Sequence, residues 1–324
     1  MQPDLSIVVA SHHRPLRLRW LLNALQEQTL ERSVWEVIVA YDPVDHETAT
    51  LLRSHPLAGT TTLRAVSPAP ATPGARRNAA IREAQGNTLV FTDDDCRPPA
   101  DWLQNVASAV RRNPGAIIQG PVQGDPDDEP MLRAPYPRTT RIDRVPTPWA
   151  ECSNIVYPRE LVQRIGGFDE EVGCCEDADL GVRARAAGGR YVGDHSMPTY
   201  HAVDEESVLD WVRASGHWRD VPWLLGRHPR LRAELLLGVF WRREHLWLLV
   251  VLWWLWRAQR NPALLRHPHR LLLLWRWAGK RGAHGSHLRG RLRDLLELPG
   301  WALIDAAELV ALIRGSARHR TLVL

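Results

Sequence analysis

The sequence is poor in cysteine, and its apolar runs are short. Its 324 residues include only four cysteines, Cys96, Cys152, Cys174 and Cys175, which form neither a CxxC pair nor a regular framework. A disulfide-stapled secreted fold is therefore not expected, and a reduced cytoplasmic interior is the expected environment. The first residues, MQPDLSIVVASHHRP, show no basic stretch followed by an apolar stretch and a cleavage site. We therefore expect no secretory signal there.

The small net charge of +4 conceals an asymmetry between two parts of the chain. Residues 1–204 carry 21 Lys and Arg against 27 Asp and Glu, whereas residues 205–324 carry 20 against 10. Ten of the 15 tryptophans lie between Trp211 and Trp277. We therefore predict a catalytic domain over residues 1–204 and a helical C-terminal region over residues 205–324, each with different partners.

Residues 1–120 alternate between strand-like and helix-like segments. Short β-branched runs predict strands, and the stretches opened by Pro15 or closed by Gly86 predict helices between them. The predicted strands are 5–10, 35–40, 61–66, 88–92 and 115–120. This alternation is typical of an α/β fold with a mainly parallel sheet, which binds ligands beyond the carboxyl ends of its strands.

Three consecutive carboxylates, Asp93, Asp94 and Asp95, follow directly on the predicted strand 88–92. Like charges repel, and each is costly to dehydrate, so this trio requires compensation at the end of a buried strand. Mg²⁺ or Mn²⁺ would supply it, because hard divalent ions prefer oxygen ligands and share their shell with substrate phosphates. The alternative is a solvated acidic turn or a helix cap, although three acids exceed what capping needs.

The ordered motifs of residues 5–201 resemble family 2 glycosyltransferases of the GT-A fold. SIVVASHHRP and EVIVAYDP are similar to the family's first two strands, and GARRNAAIREAQGNTLVFTDDD to the stretch that ends in its DxD signature. IGGFDEEVGCCEDADLGVRARAAGGRYV is similar to its acceptor-side block. The resemblance implies a Rossmann-like nucleotide-diphospho-sugar transferase fold, with an α-helical C-terminal region added here. Two departures from the family pattern are the sequence YDPVD after the second strand and His12-His13 before Arg14.

The resemblance also assigns donor-side roles to individual residues. Asp93 and Asp95 are the two arms of DxD, with Asp95 on the metal and Asp93 shared between the metal and the ribose. Asp42 would contact the nucleobase. Arg77 would approach the diphosphate, as guanidinium groups pair well with phosphate. Arg14 is assigned to the donor as well.

His201 follows a strand-like segment and is the candidate third metal ligand or a phosphate contact. His195 is a weaker candidate for the same role. A zinc site built from Cys174, Cys175, His195 and His201 is an alternative, although their spacing matches no familiar zinc pattern.

An acceptor hydroxyl must lose a proton to a nearby carboxylate or histidine as it attacks a sugar carbon. The segment CCEDADL supplies such acids, and the resemblance assigns the general base to Asp177. Glu176 would orient the acceptor or the base, and Asp179 is assigned a structural role. All three also suit the first turn of a helix, where acids complement the macrodipole. By the same resemblance Asn154 borders the acceptor pocket. The prolines and mixed charges of residues 123–148 predict a long loop, where the acceptor would be recognised.

The C-terminal region holds two apolar segments rich in tryptophan and flanked by arginine, at 245–256 and 263–281. Neither is a clean transmembrane span, since the first would extend roughly 18 Å as a helix against a hydrocarbon core of about 30 Å. An interfacial helical pair on the inner face of the membrane accounts for the tryptophans and the positive charge. The alternatives are packing on the catalytic domain or on a second copy as a homodimer. Nucleic-acid binding is not expected, because the aromatics are clustered in apolar runs.

The sequence therefore predicts a metal-dependent, inverting glycosyltransferase that moves a sugar from a nucleotide-diphosphate donor to a hydroxyl acceptor. A lipid-linked glycan, in cell-envelope polysaccharide or glycolipid assembly at the cytoplasmic face of the membrane, is the expected acceptor. Two alternatives stay open: a sugar-nucleotide nucleotidyltransferase, and a catalytically silent nucleotide-sugar-binding or membrane scaffold protein. The pair Glu176–Asp177 favours catalysis, because a pure binder has no use for a base.

Overall fold

The computed structural model describes residues 3–59, 63–69, 71–261 and 288–324. Its contacts divide the chain into two compact units. Unit 1 comprises Met1–Glu129 and Thr139–Val203, and unit 2 comprises Pro130–Arg138 and Asp204–Leu324. A short segment from within the N-terminal part of the sequence thus belongs with the C-terminal unit. The domain boundary at residue 204 stays a prediction.

Strands and helices alternate over much of unit 1, and the remaining described elements belong to unit 2. The strands are β1 (Leu5–Ala10), β2 (Trp35–Ala40), β3 (Leu63–Val66), β4 (Thr88–Thr92), β5 (Cys96–Arg97), β6 (Ile117–Gln119), β7 (Val122–Gly124), β8 (Pro137–Arg138), β9 (Asn154–Pro158), β10 (Tyr191–Gly193), β11 (Thr199–His201) and β12 (Asp204–Glu205). The helices are α1 (Pro15–Gln26), α2 (His46–Ser54), α3 (Pro73–Glu83), α4 (Trp102–Arg112), α5 (Arg159–Arg164), α6 (Glu176–Ala186), α7 (Val208–Ala214), α8 (Val221–Arg227), α9 (Arg243–Arg260) and α10 (Leu288–His319).

The main sheet of unit 1 has seven strands in the order β10-β6-β9-β4-β1-β2-β3. The pairs β1–β2, β1–β4, β2–β3 and β6–β10 are parallel, whereas β9 runs antiparallel to both β4 and β6. A smaller sheet joins β5, β11 and β7. The predicted α/β fold with a mainly parallel sheet is confirmed.

Alternate side chains of the central strands enter two separate cores, one on each face of the sheet. Ile7 and Val9 of β1 pack in one core, and Val8 in the other together with Phe91 of β4. All four side chains are fully buried. The side chains of a strand alternate between its two faces. Apolar residues at successive positions, such as Ile7, Val8 and Val9, are therefore all buried only when both faces of the sheet are covered.

The predicted strands 5–10, 35–40 and 88–92 are found at those bounds. The strand predicted over 115–120 is shorter, because Gly115 has a φ of +70°, in the left-handed region that ends an extended segment. Neither α2 nor β9 is among the predicted elements. The segment predicted as a long recognition loop, 123–148, instead contains the end of β7, a 3₁₀ turn and β8.

Asn154 is a structural residue, which corrects its predicted place at the acceptor pocket. Its amide is fully buried and donates to the carbonyl oxygens of Pro121 at 2.9 Å and Met197 at 2.7 Å. Its own oxygen accepts from the Trp102 indole N–H at 3.2 Å. One side chain thereby ties β9, α4 and two loops together.

Replacing Asn154 by alanine is expected to destabilise the protein by at least about 3 kcal/mol, because three buried polar groups lose their partner. Thermal unfolding followed by circular dichroism measures this change. Asn87, whose side chain is exposed, provides the matched control, and its alanine variant is expected to unfold near the wild-type temperature. Equal melting temperatures for the two variants would contradict the structural role of Asn154.

Unit 2 is built mainly from helices, with β8 and β12 paired antiparallel. Leu248 and Val251 of α9 pack against Leu298 and Leu309 of α10. The predicted apolar segment 245–256 lies within α9, and the segment 263–281 lies outside the described residues. Over the described ranges, helices that combine the length and the apolar character needed to cross a membrane are absent.

Candidate active site

The loops that follow β1, β2 and β4 meet at the carboxyl edge of the main sheet. Because these strands are parallel neighbours, Arg14, Asp42 and the three acids after β4 approach one another there. The three acids occupy different environments. Asp93 is partly exposed, whereas Asp94 and Asp95 are buried.

Asp94 is the member of the trio that the surrounding loop holds most closely. Its Oδ2 accepts from the Ser11 hydroxyl at 2.9 Å and from the backbone N–H of His12 at 3.2 Å. Burial, followed by the charge of Asp95, raises the pKa of the Asp94 carboxyl to about 7. Asp94 therefore carries a fraction of a proton at neutral pH, which reduces the repulsion within the trio.

Asp95 has a buried carboxylate oxygen whose negative charge a bound cation would compensate. Its Oδ2 is 2.5 Å from Arg14 Nη1, but its Oδ1 has no hydrogen-bond partner among the described residues. His201 Nε2 lies 3.3 Å from this Oδ1, while His201 Nδ1 lies 2.9 Å from the carbonyl oxygen of Ala202. Because a carbonyl can only accept, Nδ1 donates to Ala202, and Nε2 is the ring nitrogen that faces Asp95.

The third member of this cluster is Asp93. Ligand atoms of Asp93, Asp95 and His201 all lie within 4.8 Å of one another. Two carboxylates and an imidazole form a donor set that suits Mn²⁺ or Mg²⁺, with positions left for water and phosphate oxygens. The backbone carbonyl of Ala202 orients the His201 ring, as such partners do for metal-binding histidines. The residues present therefore match the predicted metal.

Arg77 of α3 joins Asp93, which the sequence predicts on the donor side, to Glu176, which it predicts on the acceptor side. Its guanidinium is buried and donates to Asp93 Oδ1 at 3.1 Å and to Glu176 Oε1 at 2.5 Å. The structure thus places Arg77 between two carboxylates. No local pattern of the sequence indicates this bridge, since the two acids are 83 positions apart in the chain.

Glu176 and Asp177 form the first turn of α6. The helix follows Cys175, which adopts a φ of +69°, so the chain turns sharply before the two acids. Burial, followed by the negative charge of Glu176, raises the pKa of the Asp177 carboxyl well above 3.8. The Asp177 side chain remains partly exposed, so it is accessible to a substrate. A carboxylate with a raised pKa and access to solvent can act as a general base near neutral pH.

Asp179, two residues further on, is fully buried and accepts from Arg183 Nε at 2.7 Å. The same guanidinium donates to the carbonyl oxygens of Ile165 and Gly167. These contacts fix α6 against the preceding loop, in agreement with a structural role.

A second arginine, which sequence reasoning missed, lies beside Asp42. Arg76 is buried, with Nη2 at 3.6 Å from Asp42 Oδ2 and 3.0 Å from His12 Nδ1. Burial, reinforced by the charge of Arg76, lowers the pKa of His12 and favours its neutral form. The sequence signal was the doubled arginine of PGARRN, since a helix face rarely buries two arginines without partners.

The alternative zinc site is not assembled. Within the part of the chain that the structure describes, three groups of residues bring ligand atoms within 4.8 Å of one another, and none of them includes a cysteine. Cys174 Sγ and Cys175 Sγ lie 3.4 Å apart. His195 is exposed and belongs to none of the three groups.

Comparison with known proteins agrees with this geometry. The glycosyl transferase family 2 model matches residues 6–166. The O-antigen biosynthesis protein RfbC of Myxococcus xanthus is 25% identical over 250 residues, which cover 68% of this chain and 19% of that protein. Glycosyltransferase AglE of Haloferax volcanii is 22% identical over 203 residues, which cover 61% of this chain and 67% of that protein. The chain thus spans only about a fifth of the first of these relatives.

Solved structures share the fold over nearly the whole chain. The mannosyltransferase PcManGT from Pyrobaculum calidifontis, in complex with GDP-Man and Mn²⁺, matches with a TM-score of 0.59 and 21% identity. The match covers 97% of this chain and 87% of that chain. The mainly parallel sheet with its C-terminal helices is therefore the GT-A glycosyltransferase fold, as predicted. With its motifs, its fold and the family model in agreement, the segment 6–166 of the chain belongs to glycosyltransferase family 2.

Proposed function

We propose that the protein is an inverting glycosyltransferase that transfers a sugar from a nucleoside-diphosphate sugar to a hydroxyl acceptor. One observation carries the proposal. The buried guanidinium of Arg77 contacts both Asp93, on the donor side, and Glu176, beside the candidate base Asp177. A metal-type acid cluster and a base of raised pKa are therefore held in one connected site. That combination suits a reaction with an anionic leaving group and a proton to remove.

On the donor side, Asp93, Asp95 and His201 would hold Mn²⁺ or Mg²⁺. When bound, such an ion neutralises the charge that develops on the diphosphate as the sugar departs. The unpartnered Oδ1 of Asp95 supports this assignment. Arg14, half exposed beside Asp95, and the buried Asp42 complete the proposed donor contacts.

On the acceptor side, Asp177 would remove the proton of the acceptor hydroxyl as that oxygen attacks the anomeric carbon. A single displacement with one base inverts the configuration at this carbon, since the nucleophile enters opposite the diphosphate. Glu176, fixed by Arg77, positions the Asp177 carboxylate and raises its pKa through its negative charge.

For the acceptor, we propose a glycan of the cell envelope, carried on a lipid at the inner face of the membrane. The relative from Myxococcus xanthus is named for O-antigen biosynthesis. Trp253 and Trp256 of α9 are exposed, and the guanidinium groups of Arg257 and Arg260 stack on them. Exposed tryptophan beside arginine is typical of helices that bind the membrane interface.

We expect release of nucleoside diphosphate when the protein is incubated with Mn²⁺ and a panel of UDP- and GDP-sugars, together with a lipid-linked acceptor. The diphosphate is measured by a coupled assay, and EDTA is expected to abolish its release, with recovery on addition of excess Mn²⁺. Pyrophosphate as the product would instead identify a nucleotidyltransferase. Binding of donor without turnover of any pair would favour a scaffold protein and contradict the proposal.

A further inference from the structure

Unit 1 contains a cavity that no residue of the site described above lines. It measures about 540 Å³ and lies between α1, the segment that follows β5, and the turn after β7. Its walls include Trp20, Glu27, Arg97, Asp125, Asp127 and Tyr200. A volume of this size falls within the range of small-molecule pockets in proteins.

The polar wall of the cavity is a fixed network. Arg97 Nε donates to Asp125 Oδ2 at 2.7 Å, and Arg97 Nη2 lies 2.7 Å from Asp127 Oδ2. Asp125 is only 3% exposed, and its backbone N–H donates to the carbonyl oxygen of His201 at 2.8 Å. Asp125 Oδ1 also accepts from the backbone N–H of Asp127 at 3.0 Å. Carboxylates held in this way present acceptor oxygens in defined directions.

The apolar wall is an aromatic side chain that is held in place yet open to solvent. Trp20 of α1 is 39% exposed, although such a ring is usually buried. The guanidinium carbon of Arg17 lies 4.8 Å from the centre of its ring, and Arg17 Nη1 is 3.2 Å from Asp128 Oδ2. The indole therefore faces the cavity from a fixed position.

The cavity adjoins the reaction centre through a single strand. In the antiparallel pair of β5 and β11, Tyr200 lies opposite Arg97, and His201 lies opposite Cys96. Successive side chains of a strand point to opposite faces. Tyr200 therefore lines the cavity, whereas His201 turns toward Asp95 on the other face.

We propose that this cavity is a second carbohydrate-binding site, which takes a neutral saccharide. The apolar face of a sugar ring packs on an indole, while its hydroxyls donate to carboxylates and accept from a guanidinium. Four acids, Glu27, Asp125, Asp127 and Asp128, surround the single Arg97 among the charged lining residues, so an anionic sugar is repelled. If the bound saccharide is a non-reacting unit of the acceptor glycan, that identity rests on the proposed function. The inference that the cavity binds a saccharide is independent of the proposed function.

The test is the affinity of the full chain for neutral trisaccharides without donor or metal, measured by isothermal titration calorimetry. Mannotriose, cellotriose and N,N′,N″-triacetylchitotriose are the neutral probes, and trigalacturonate is the anionic comparator. We expect at least one neutral probe to bind and trigalacturonate not to bind. Trp20→Ala is expected to weaken binding by at least about tenfold, as truncation of an anchoring aromatic does. Glu27→Gln, an exposed position that changes only charge, is expected to weaken it less.

Two control variants locate the site. Leu16→Ala removes an exposed apolar side chain from the same helix outside the cavity, and Asp177→Asn alters the reaction centre. Both are expected to bind the saccharide as the wild type does. The proposal is overturned if none of the neutral probes binds at roughly 10 mM, if Trp20→Ala leaves the affinity unchanged, or if Asp177→Asn weakens binding as much as Trp20→Ala. Absence of sugar transfer together with intact saccharide binding would remove the proposed function and leave this site standing.

Discussion

Replacing Asp177 by asparagine is expected to lower kcat by about 10²–10⁴-fold, the range that a lost general base accounts for. Asparagine has nearly the same shape but cannot accept the proton of the acceptor hydroxyl. Donor binding is expected to survive, because Asp93, Asp95 and His201 are untouched and Arg77 retains Glu176. The rate of nucleoside diphosphate release and a thermal-shift titration with donor and Mn²⁺ measure the two effects separately.

The pH dependence of kcat/KM provides a second test of Asp177 as the general base. A general base acts when deprotonated, so kcat/KM of the wild type rises with pH through the pKa of Asp177. Because burial and Glu176 raise this pKa, the rising limb lies well above pH 3.8, and it is expected to vanish in the asparagine variant. Asp179→Asn provides the control in the same turn of α6, where the expected loss is of stability and not of rate. Full activity of Asp177→Asn would assign the base to another residue.

Replacing Asp95 by asparagine is expected to lower turnover by about 10²–10³-fold, the scale on which loss of one charge-stabilising group acts. The change removes the charge that faces His201 and weakens the proposed metal site. The thermal stabilisation of the protein by Mn²⁺ alone is expected to shrink in parallel, which gives a readout independent of activity.

Asp94→Asn is the matched control for this variant, since it alters the adjacent acid in the same loop. Arg14 Nη1 lies 3.6 Å from Asp94 Oδ1. The Asp94 carboxyl, whose raised pKa favours the neutral form, accepts hydrogen bonds from Ser11 and the His12 backbone. Asparagine can still accept from both groups, so the effect on Mn²⁺ binding is expected to be far smaller. If both variants lost the thermal stabilisation by Mn²⁺ equally, the three acids would contribute only their summed negative charge, and Asp95 would have no specific role in metal binding.

Much of the fold could be predicted because its signals are local. The β-branched runs 5–10 and 35–40 have strand length, and Pro15 marks the first turn of a helix. The antiparallel strand β9 was missed, because its insertion between β4 and β6 depends on contacts distant in sequence. The same holds for Asn154, whose three partners lie in separate segments.

The residues of the candidate site likewise divide into those that short sequence motifs indicate and those that only the folded structure brings together. Asp93, Asp95 and Asp177 could be proposed from short motifs, since acids in series at the end of a strand or the start of a helix are visible in the sequence. The buried link through Arg77 and the contact of Arg76 with Asp42 could not, because a sequence records neither burial nor which acid an arginine reaches. The face of β11 that carries the His201 side chain could likewise be assigned only from the register of β11 with β5.

The segment Pro130–Arg138 leaves unit 1 and joins the mainly helical unit 2, where β8 pairs with β12. No single cut of the polypeptide can therefore yield both halves intact. During synthesis, this segment is made some 150 residues before α10 begins, so most of unit 2 has not yet been synthesised when the segment emerges. Chimaeras that exchange C-terminal helices between relatives must carry these nine residues along, or the new helices will meet a foreign strand.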